Sequence, residues 1–232
     1  MKLDNAIVLI TGANRGIGLA FAREALARGA RKVYAAARNP DSITLPGVEA
    51  IRLDVTRPDE VAAAAQRCGD VTLLINNAGI AQTGGFLAQD SIEAARVQLE
   101  TNFFGPLLTA RAFAPVLAAN RGGAIINVLS VASWINRPLL GVYGATKSAA
   151  WALTNGLRHE LREQGTQVLA MHMGFVATDL TRGIDMPKST PEEVVRRTLD
   201  ALEAGAEEVL ADELTRQVKQ GLSAEPAVYL AP

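Results

Sequence analysis

The sequence is poor in the residues that would indicate a disulfide framework, a metal centre or a membrane span. Its 232 residues include one cysteine, Cys68, and two histidines, His159 and His172. A single cysteine cannot form an internal disulfide, and neither histidine has cysteine or carboxylate neighbours at metal-ligand spacing. No apolar run approaches the length needed to cross a bilayer, and the opening MKLDNAIVLITG lacks the architecture of a signal peptide. We therefore expect a cytoplasmic protein without a metal site and without a membrane partner.

The sequence also lacks an excess of charge of either sign. Lysine and arginine total 23 against 24 for aspartate and glutamate, and no block of like charge stands out. This balance argues against a nucleic-acid partner bound through phosphate neutralisation. Hydrophobic residues make up 49% of the chain, enough for a full core. No linker-like stretch divides the chain, so we expect a single domain over residues 1–232.

Short apolar runs alternate along the chain with longer amphipathic ones. The runs typical of strands are apolar throughout, as in sheets that are covered on both faces. They are 6–10, 32–37, 48–53, 71–76, 123–130 and 167–173, with a late edge strand at 207–212. The helical stretches are 16–28, 58–67, 90–119, 142–164, 190–203 and about 213–222. This alternation predicts an α/β protein with a parallel sheet and helices on both faces. The longest irregular piece, 173–190, has a length typical of functional loops.

The turn after the first strand is rich in glycine. It reads TGANRGIG over residues 11–18, with Gly12, Gly16 and Gly18 spaced G-x-x-x-G-x-G before a helix. Glycines allow the backbone to turn tightly and approach a pyrophosphate, whose charge the helix N-terminus favours. The alternative is a glycine-rich turn without a ligand.

The second strand ends in AAARNP, with Ala37 followed by Arg38. Enzymes that use NAD often carry an acidic residue at this point to bind the ribose hydroxyls. Here Arg38, together with Arg15 of the glycine-rich turn, suits the 2′-phosphate of NADP(H), because guanidinium groups bind phosphate in a bidentate, charge-assisted way. The alternative is that both arginines are solvated surface residues.

Further motifs follow in a fixed order. They are LDV (53–55), NNAG (76–79), TNFFG (101–105), Ser130 within NVLSVAS, YGATK (143–147) and MGFVAT (173–178). With the glycine-rich turn, these motifs make the chain resemble the short-chain dehydrogenase/reductase family over nearly its whole length. The resemblance implies a single-domain Rossmann fold, with a doubly wound, mostly parallel seven-stranded sheet, and an NADP(H)-dependent carbonyl reductase.

The family's functional residues can be transferred to the matching positions. The resemblance implies a catalytic group of Asn102, Ser130, Tyr143 and Lys147. The cofactor site is implied to contain Gly12, Asn14, Arg15, Gly16, Ile17, Gly18, Arg38, Asp54, Val55, Asn76, Ala78, Gly79, Tyr143, Lys147, Val176 and Thr178. One departure is Met173-Gly174, where the family usually has Pro-Gly; it loosens a rigid turn close to Thr178.

The chemistry of a carbonyl reduction explains why Tyr143 and Lys147 stand four residues apart. On a helix this spacing puts both side chains on one face. A free tyrosine has a pKa of about 10, and lowering it by about three units requires stabilising the phenolate by about 4 kcal/mol. The Lys147 ammonium would supply part of this stabilisation, and Ser130 would hold the substrate oxygen beside the phenol. Ser133 is the alternative serine.

The substrate is expected to lie between the segment after Ser130 and a loop at about 175–190. The side chains expected to contact it are Ser130, Trp134, Leu140, Tyr143, Phe175 and Ile184. Most are apolar, which predicts a small neutral carbonyl compound or its alcohol. The alternatives are a carrier-bound 3-oxoacyl chain and a non-catalytic NADP(H)-binding sensor. The family commonly associates through the helices that hold Asn102 and Tyr143, so a homodimer or homotetramer is expected.

Overall fold

The computed structural model describes residues 1–230, and seven strands in that range form one sheet. The sheet order is β3-β2-β1-β4-β5-β6-β7, and all neighbouring strands run parallel. The strands are β1 (Ile7–Thr11), β2 (Lys32–Ala37), β3 (Glu49–Arg52), β4 (Leu73–Asn76), β5 (Ala124–Val128), β6 (Gln167–His172) and β7 (Glu208–Leu210). The Rossmann-like α/β prediction is confirmed, including the late edge strand.

Helices cover both faces of this sheet. They are α1 (Gly16–Ala27), α2 (Pro58–Arg67), α3 (Ser91–Leu99), α4 (Gly105–Ala119), α5 (Gly141–Glu160), α6 (Pro191–Glu203) and α7 (Glu213–Gly221). The core on one face is built with residues of α1 and α6, and the core on the other with residues of α2, α4 and α5. Within residues 1–230, no helix combines the length and hydropathy that a membrane crossing requires.

The strands are apolar throughout because successive side chains enter opposite cores. In β1, Val8 and Ile10 belong to the core shared with α1 and α6, whereas Ile7 and Leu9 belong to the other. All four are at most 2% exposed. The period of two along a strand therefore fills both layers from one apolar run.

The long helix expected over residues 90–119 is interrupted, which corrects that prediction. Between α3 and α4 the residues Glu100–Phe104 form a π-helical turn, and the Gly105 amide donates to the Glu100 carbonyl, five residues back. Such turns occur mostly as single insertions within α-helices, frequently at functional sites. The insertion places Asn102, which is 1% exposed, on the inner side of the turn.

The topology fixes where a ligand can bind. From β1 the chain moves to β2 and β3 on one side, and then returns to place β4 on the other side of β1. A crevice forms at such a reversal, outside the carboxyl ends of the strands. The turns after β1, β2, β3 and β4 all open into this crevice.

Candidate active site

A cavity of about 860 Å³ occupies the crevice at the carboxyl ends of the strands. Its volume lies within the range of cofactor sites. The residues that line it come from the turns after β1, β2, β3, β4 and β6, from α3 and the π-helical turn, and from β5 and α5. They include Gly12, Asn14, Arg15, Gly16, Ile17, Arg38, Asp54, Val55, Asn77, Ala78, Gly79, Tyr143, Lys147 and Thr178.

The glycine-rich turn forms one wall of the cavity. Gly12 and Gly16 have φ values of +66° and +54°, in the left-handed region that favours glycine. A Cβ on Gly18 would lie 2.1 Å from the Gly12 carbonyl oxygen, so the first turn of α1 packs directly on the loop. Arg15 is the N-cap of α1 and makes no side-chain cap, which leaves backbone N–H groups at the helix start available for a ligand. These features fit the pyrophosphate of a dinucleotide.

The end of the cavity beside the turn after β2 carries positive charge. Arg38 follows β2 with an exposed side chain, and Arg15 faces the same space. The Asp54 carboxylate accepts hydrogen bonds from the backbone amide of Thr56 at 3.0 Å and from its hydroxyl at 2.8 Å. These bonds fix the turn after β3. The donor set at this end fits an adenosine ribose that carries a phosphate.

The inner end of the cavity brings Ser130, Tyr143 and Lys147 together. Tyr143 and Lys147 lie one turn apart on α5, and Ser130 follows β5. The Tyr143 hydroxyl lies near the side chain of Ser130, whose Oγ accepts a hydrogen bond from the Ala132 amide at 3.1 Å. The Lys147 ammonium donates to the Val128 carbonyl at 2.8 Å and lies 5.8 Å from the centre of the Tyr143 ring.

Asn102 reaches the same place from the π-helical turn. Its amide group donates to the Ile80 carbonyl and accepts from the Ile80 amide, both at 2.9 Å. It also donates to the Thr146 hydroxyl at 3.0 Å, and that hydroxyl donates to the Tyr143 carbonyl. A Cβ on Gly79 would lie 3.3 Å from the Asn102 side-chain oxygen and 3.8 Å from the Lys147 nitrogen. A side chain at position 79 would therefore press on the Asn102 amide.

The glycine-rich turn, the arginines and the Ser-Tyr-Lys cluster therefore share one crevice, and comparison with known proteins agrees. The family model described as short chain dehydrogenase matches residues 6–188. The chain belongs to the short-chain dehydrogenase/reductase family.

Other members of the family resemble the chain over most of its length. Dehydrogenase/reductase SDR family member 7B of Bos taurus is 32% identical over 196 residues, 76% of this chain. The chain spans 60% of the length of that relative. Galactitol 2-dehydrogenase (L-tagatose-forming) of Cereibacter sphaeroides is 36% identical over 191 residues, 78% of this chain and 75% of its own length. A crystal structure of a short chain dehydrogenase from Burkholderia cenocepacia, in complex with NADP, is 39% identical, with a TM-score of 0.95 and full coverage of both chains.

Burial sets the pKa values at the inner end of this short-chain dehydrogenase/reductase cavity. It raises the pKa of the Tyr143 phenol to about 12, although the neighbouring Ser130 side chain acts in the opposite direction. It lowers the pKa of the Lys147 ammonium to about 8. The Tyr143 pKa is therefore raised overall, against the expectation that it would be lowered. Loss of solvation of the phenolate dominates, and the Lys147 ammonium donates to the Val128 carbonyl.

Several residues expected at the cofactor site lie outside the cavity. Asn76 is 4% exposed and donates to the Asn127 side chain while accepting from the Thr109 hydroxyl. The neighbouring Asn77 lines the cavity instead, and its side chain donates to the carbonyls of Thr11 and Gly12. No pattern in the sequence indicated Asn77, because the two asparagines are adjacent at the end of β4 and only the register of the strand decides which of them faces the ligand. Gly18 packs against the Gly12 carbonyl and Val176 is buried, and neither residue lines the cavity.

Few of the residues expected to contact the substrate line this cavity. Tyr143 lines the cavity, whereas Ser130, Trp134, Leu140, Phe175 and Ile184 do not. The Trp134 ring stacks on His172, with 3.9 Å between ring centres, and the Lys219 ammonium lies 4.8 Å from the centre of the tryptophan ring. The two contacts account for the position of Trp134, because the face of a tryptophan ring stacks on other rings and attracts cations.

Other lining residues carried no signal in the sequence. Asn39 and Ser42 follow Arg38, while Val97, Glu100 and Thr101 come from the end of α3 and the π-helical turn. Asp179 follows Thr178 in the segment 173–190. Within residues 1–230, no group of three histidine, cysteine or acidic side chains is placed to hold a metal ion.

Proposed function

We propose that this protein is an NADP(H)-dependent reductase that converts ketones or aldehydes to alcohols, reversibly. The observation that carries the proposal is the neighbouring pair of Ser130 and Tyr143, with Lys147 beside it, at one end of a cavity whose other end holds Arg15 and Arg38. A nicotinamide cofactor bound there would supply or accept the hydride.

The residues of the chain would supply orientation and the proton. Ser130 would donate a hydrogen bond to the substrate carbonyl oxygen and hold it beside Tyr143. The Tyr143 phenol would then donate its proton to that oxygen as negative charge develops there. Lys147 would stabilise the phenolate that remains. Asn102 would hold the Ile80 backbone and, through Thr146, the start of the Tyr143 helix.

The proposed cofactor preference is supported by charge. The position after β2 holds Arg38 rather than an acid, and Arg15 faces the same space. The Burkholderia structure at 39% identity contains NADP. We expect Arg38→Asp to shift the preference toward NADH, because a carboxylate repels the 2′-phosphate and suits free ribose hydroxyls. Unchanged relative affinities for NADPH and NADH would remove the argument.

The substrate proposal is a small, neutral, mostly apolar carbonyl compound. A second candidate is a polyol or its ketose, because the 36% identical relative is named galactitol 2-dehydrogenase. A carrier-bound oxoacyl chain would need a basic surface beside the cavity, and Arg137, Arg182 and Lys188 provide a weak one.

The deciding experiment measures cofactor oxidation by the purified protein, with NADPH and NADH in parallel. The panel contains aldehydes, aryl ketones, diketones, a β-ketoester, a ketose and a carrier-linked oxoacyl chain. Turnover that prefers NADPH with the small apolar carbonyls is the expected result. Tight NADPH binding without turnover of any compound would favour the non-catalytic sensor instead.

We also propose a homodimer or homotetramer of one-domain subunits. Large apolar side chains are exposed on α3 and the following turn, where Ile92, Val97 and Phe104 are 69%, 42% and 41% exposed. A contact on this side would cover the helices that hold Asn102 and Tyr143.

A further inference from the structure

An ion pair joins the two sides of the cofactor cavity. The Arg15 guanidinium, at the start of α1, lies 3.0 Å from a carboxylate oxygen of Asp179. Both residues line the cavity, although they are 164 positions apart in the sequence. The pair therefore links the glycine-rich turn to the segment 173–190 across the space that a cofactor would enter.

The Asp179 carboxylate is engaged by guanidinium groups alone within residues 1–230. One oxygen accepts from Arg15, and the other accepts from Arg182. The backbone here is held by other residues, because the Thr178 amide donates to the Thr181 hydroxyl and that hydroxyl donates to the Val176 carbonyl. The charge of Asp179 is thus not needed to fold the turn that carries it.

We infer that Asp179 is a selectivity residue, whose carboxylate competes with the 2′-phosphate of the cofactor for the Arg15 guanidinium. This inference rests on the proposed preference for NADP(H). The contact with Asp179 uses the Nη1 group of Arg15, and one N–H group cannot donate at full strength to a carboxylate and to a phosphate at once. A phosphate that takes up this Nη1 group therefore displaces Asp179 and brings a second negative group close to it.

The Arg15–Asp179 ion pair is weak enough for the 2′-phosphate to displace it, and its loss is a cost that lowers the affinity for NADP(H). The Arg15 and Asp179 side chains are 67% and 44% exposed, and exposed ion pairs contribute little because water and salt screen them. Asp179 therefore lowers the affinity for NADP(H) without abolishing it. The affinity for NAD(H), which carries no 2′-phosphate, is lowered less. Asp179 therefore reduces the preference for NADP(H) over NAD(H) that Arg15 and Arg38 provide.

The test uses ligands that isolate the 2′-phosphate. Binding of adenosine 2′,5′-bisphosphate and of AMP is measured by calorimetry for the wild type, Asp179→Asn, Arg15→Gln and the double variant. Asp185→Asn is the matched control, because it removes the same charge from an exposed position in the same segment that does not line the cavity. We expect Asp179→Asn to tighten the bisphosphate about three- to fivefold and AMP less. The gain should vanish in the Arg15→Gln background and shrink at high salt.

Three results would overturn the inference. Equal tightening of both ligands, or an equal effect of Asp185→Asn, would indicate a general charge effect. A full gain in the Arg15→Gln background would show that Arg15 is not the group for which Asp179 competes. Failure of the proposed cofactor preference has a different signature, since the wild type would then bind the bisphosphate no better than AMP.

Discussion

At the scale of single residues, Tyr143 and Lys147 gain their chemistry from burial rather than from sequence spacing alone. Burial raises the pKa of the phenol to about 12 and lowers that of the ammonium to about 8. Near neutral pH the phenol therefore keeps its proton and the ammonium keeps most of its charge. This combination suits a proton donor, as reduction of a carbonyl requires.

Replacing Tyr143 with phenylalanine should abolish turnover while leaving cofactor binding largely intact. The phenol carries the proton, whereas the glycine-rich turn and the arginines lie elsewhere along the cavity. Loss of a general acid costs about 10²–10⁴-fold in rate. The measurement is kcat with the best carbonyl of the panel, beside NADPH affinity by fluorescence. Substantial turnover in the Tyr143→Phe protein would disprove the proposed mechanism.

The rate of reduction should fall as the pH rises through about 8. Below the Lys147 pKa the ammonium is charged and stabilises the phenolate that forms; above it the amine is neutral and that stabilisation is lost. The measurement is kcat/KM for reduction from pH 6 to 10. Lys147→Arg is the control, since a guanidinium stays charged over this range. A similar fall near pH 8 in that variant would assign the titration to another group.

At the scale of elements, the site depends on how strand and helix ends are braced. Ser130 lies where β5 continues beside β6, and His172 at the end of β6 places its Nδ1 atom 3.3 Å from the Ser130 carbonyl oxygen. His172 is fully buried, stacks on Trp134 and faces Glu208, Lys219 and Arg158. Burial, as the largest cause, lowers its pKa to about 4.

This histidine should make the protein less stable in mild acid. Between about pH 6.5 and 4 the unfolded state binds a proton that folded His172 does not, so the free energy of unfolding falls as the pH drops. The expected loss is about 2 kcal/mol between pH 7 and 5, measured by urea denaturation at both values. His172→Gln should remove this part of the loss, whereas the exposed control His159→Gln should not. Equal pH dependence in wild type and His172→Gln would contradict the assignment.

At the scale of the whole molecule, the proposed assembly draws on exposed apolar side chains of α3 and the π-helical turn, beside the elements that carry Asn102. Large exposed apolar patches mark interaction sites. A shared interface here would also stabilise the turn that supports the site.

The assembly can be tested with a charge on this surface. Light scattering at micromolar concentration should give a dimer or tetramer for the wild type and a smaller species for Phe104→Glu, because burying an unpaired carboxylate is costly. Met186→Glu is the control, at a residue 52% exposed on the segment 173–190. A monomeric mass for the wild type would rule out the proposed assembly.

The sequence by itself determined the layers of the fold, the order of the site motifs and the family. These follow from local patterns: apolar runs that fill two cores, and glycines where the backbone must turn, as at Gly12 and Gly16. Only the tertiary structure decided that Asn77 rather than Asn76 faces the cavity, that Trp134 packs away from it, and that a π-helical turn presents Asn102. It also decided the pKa values of Tyr143 and Lys147 and the pairing of Arg15 with Asp179. Register, desolvation and contacts between distant segments arise only when the chain is packed, so no local pattern in the sequence encodes them.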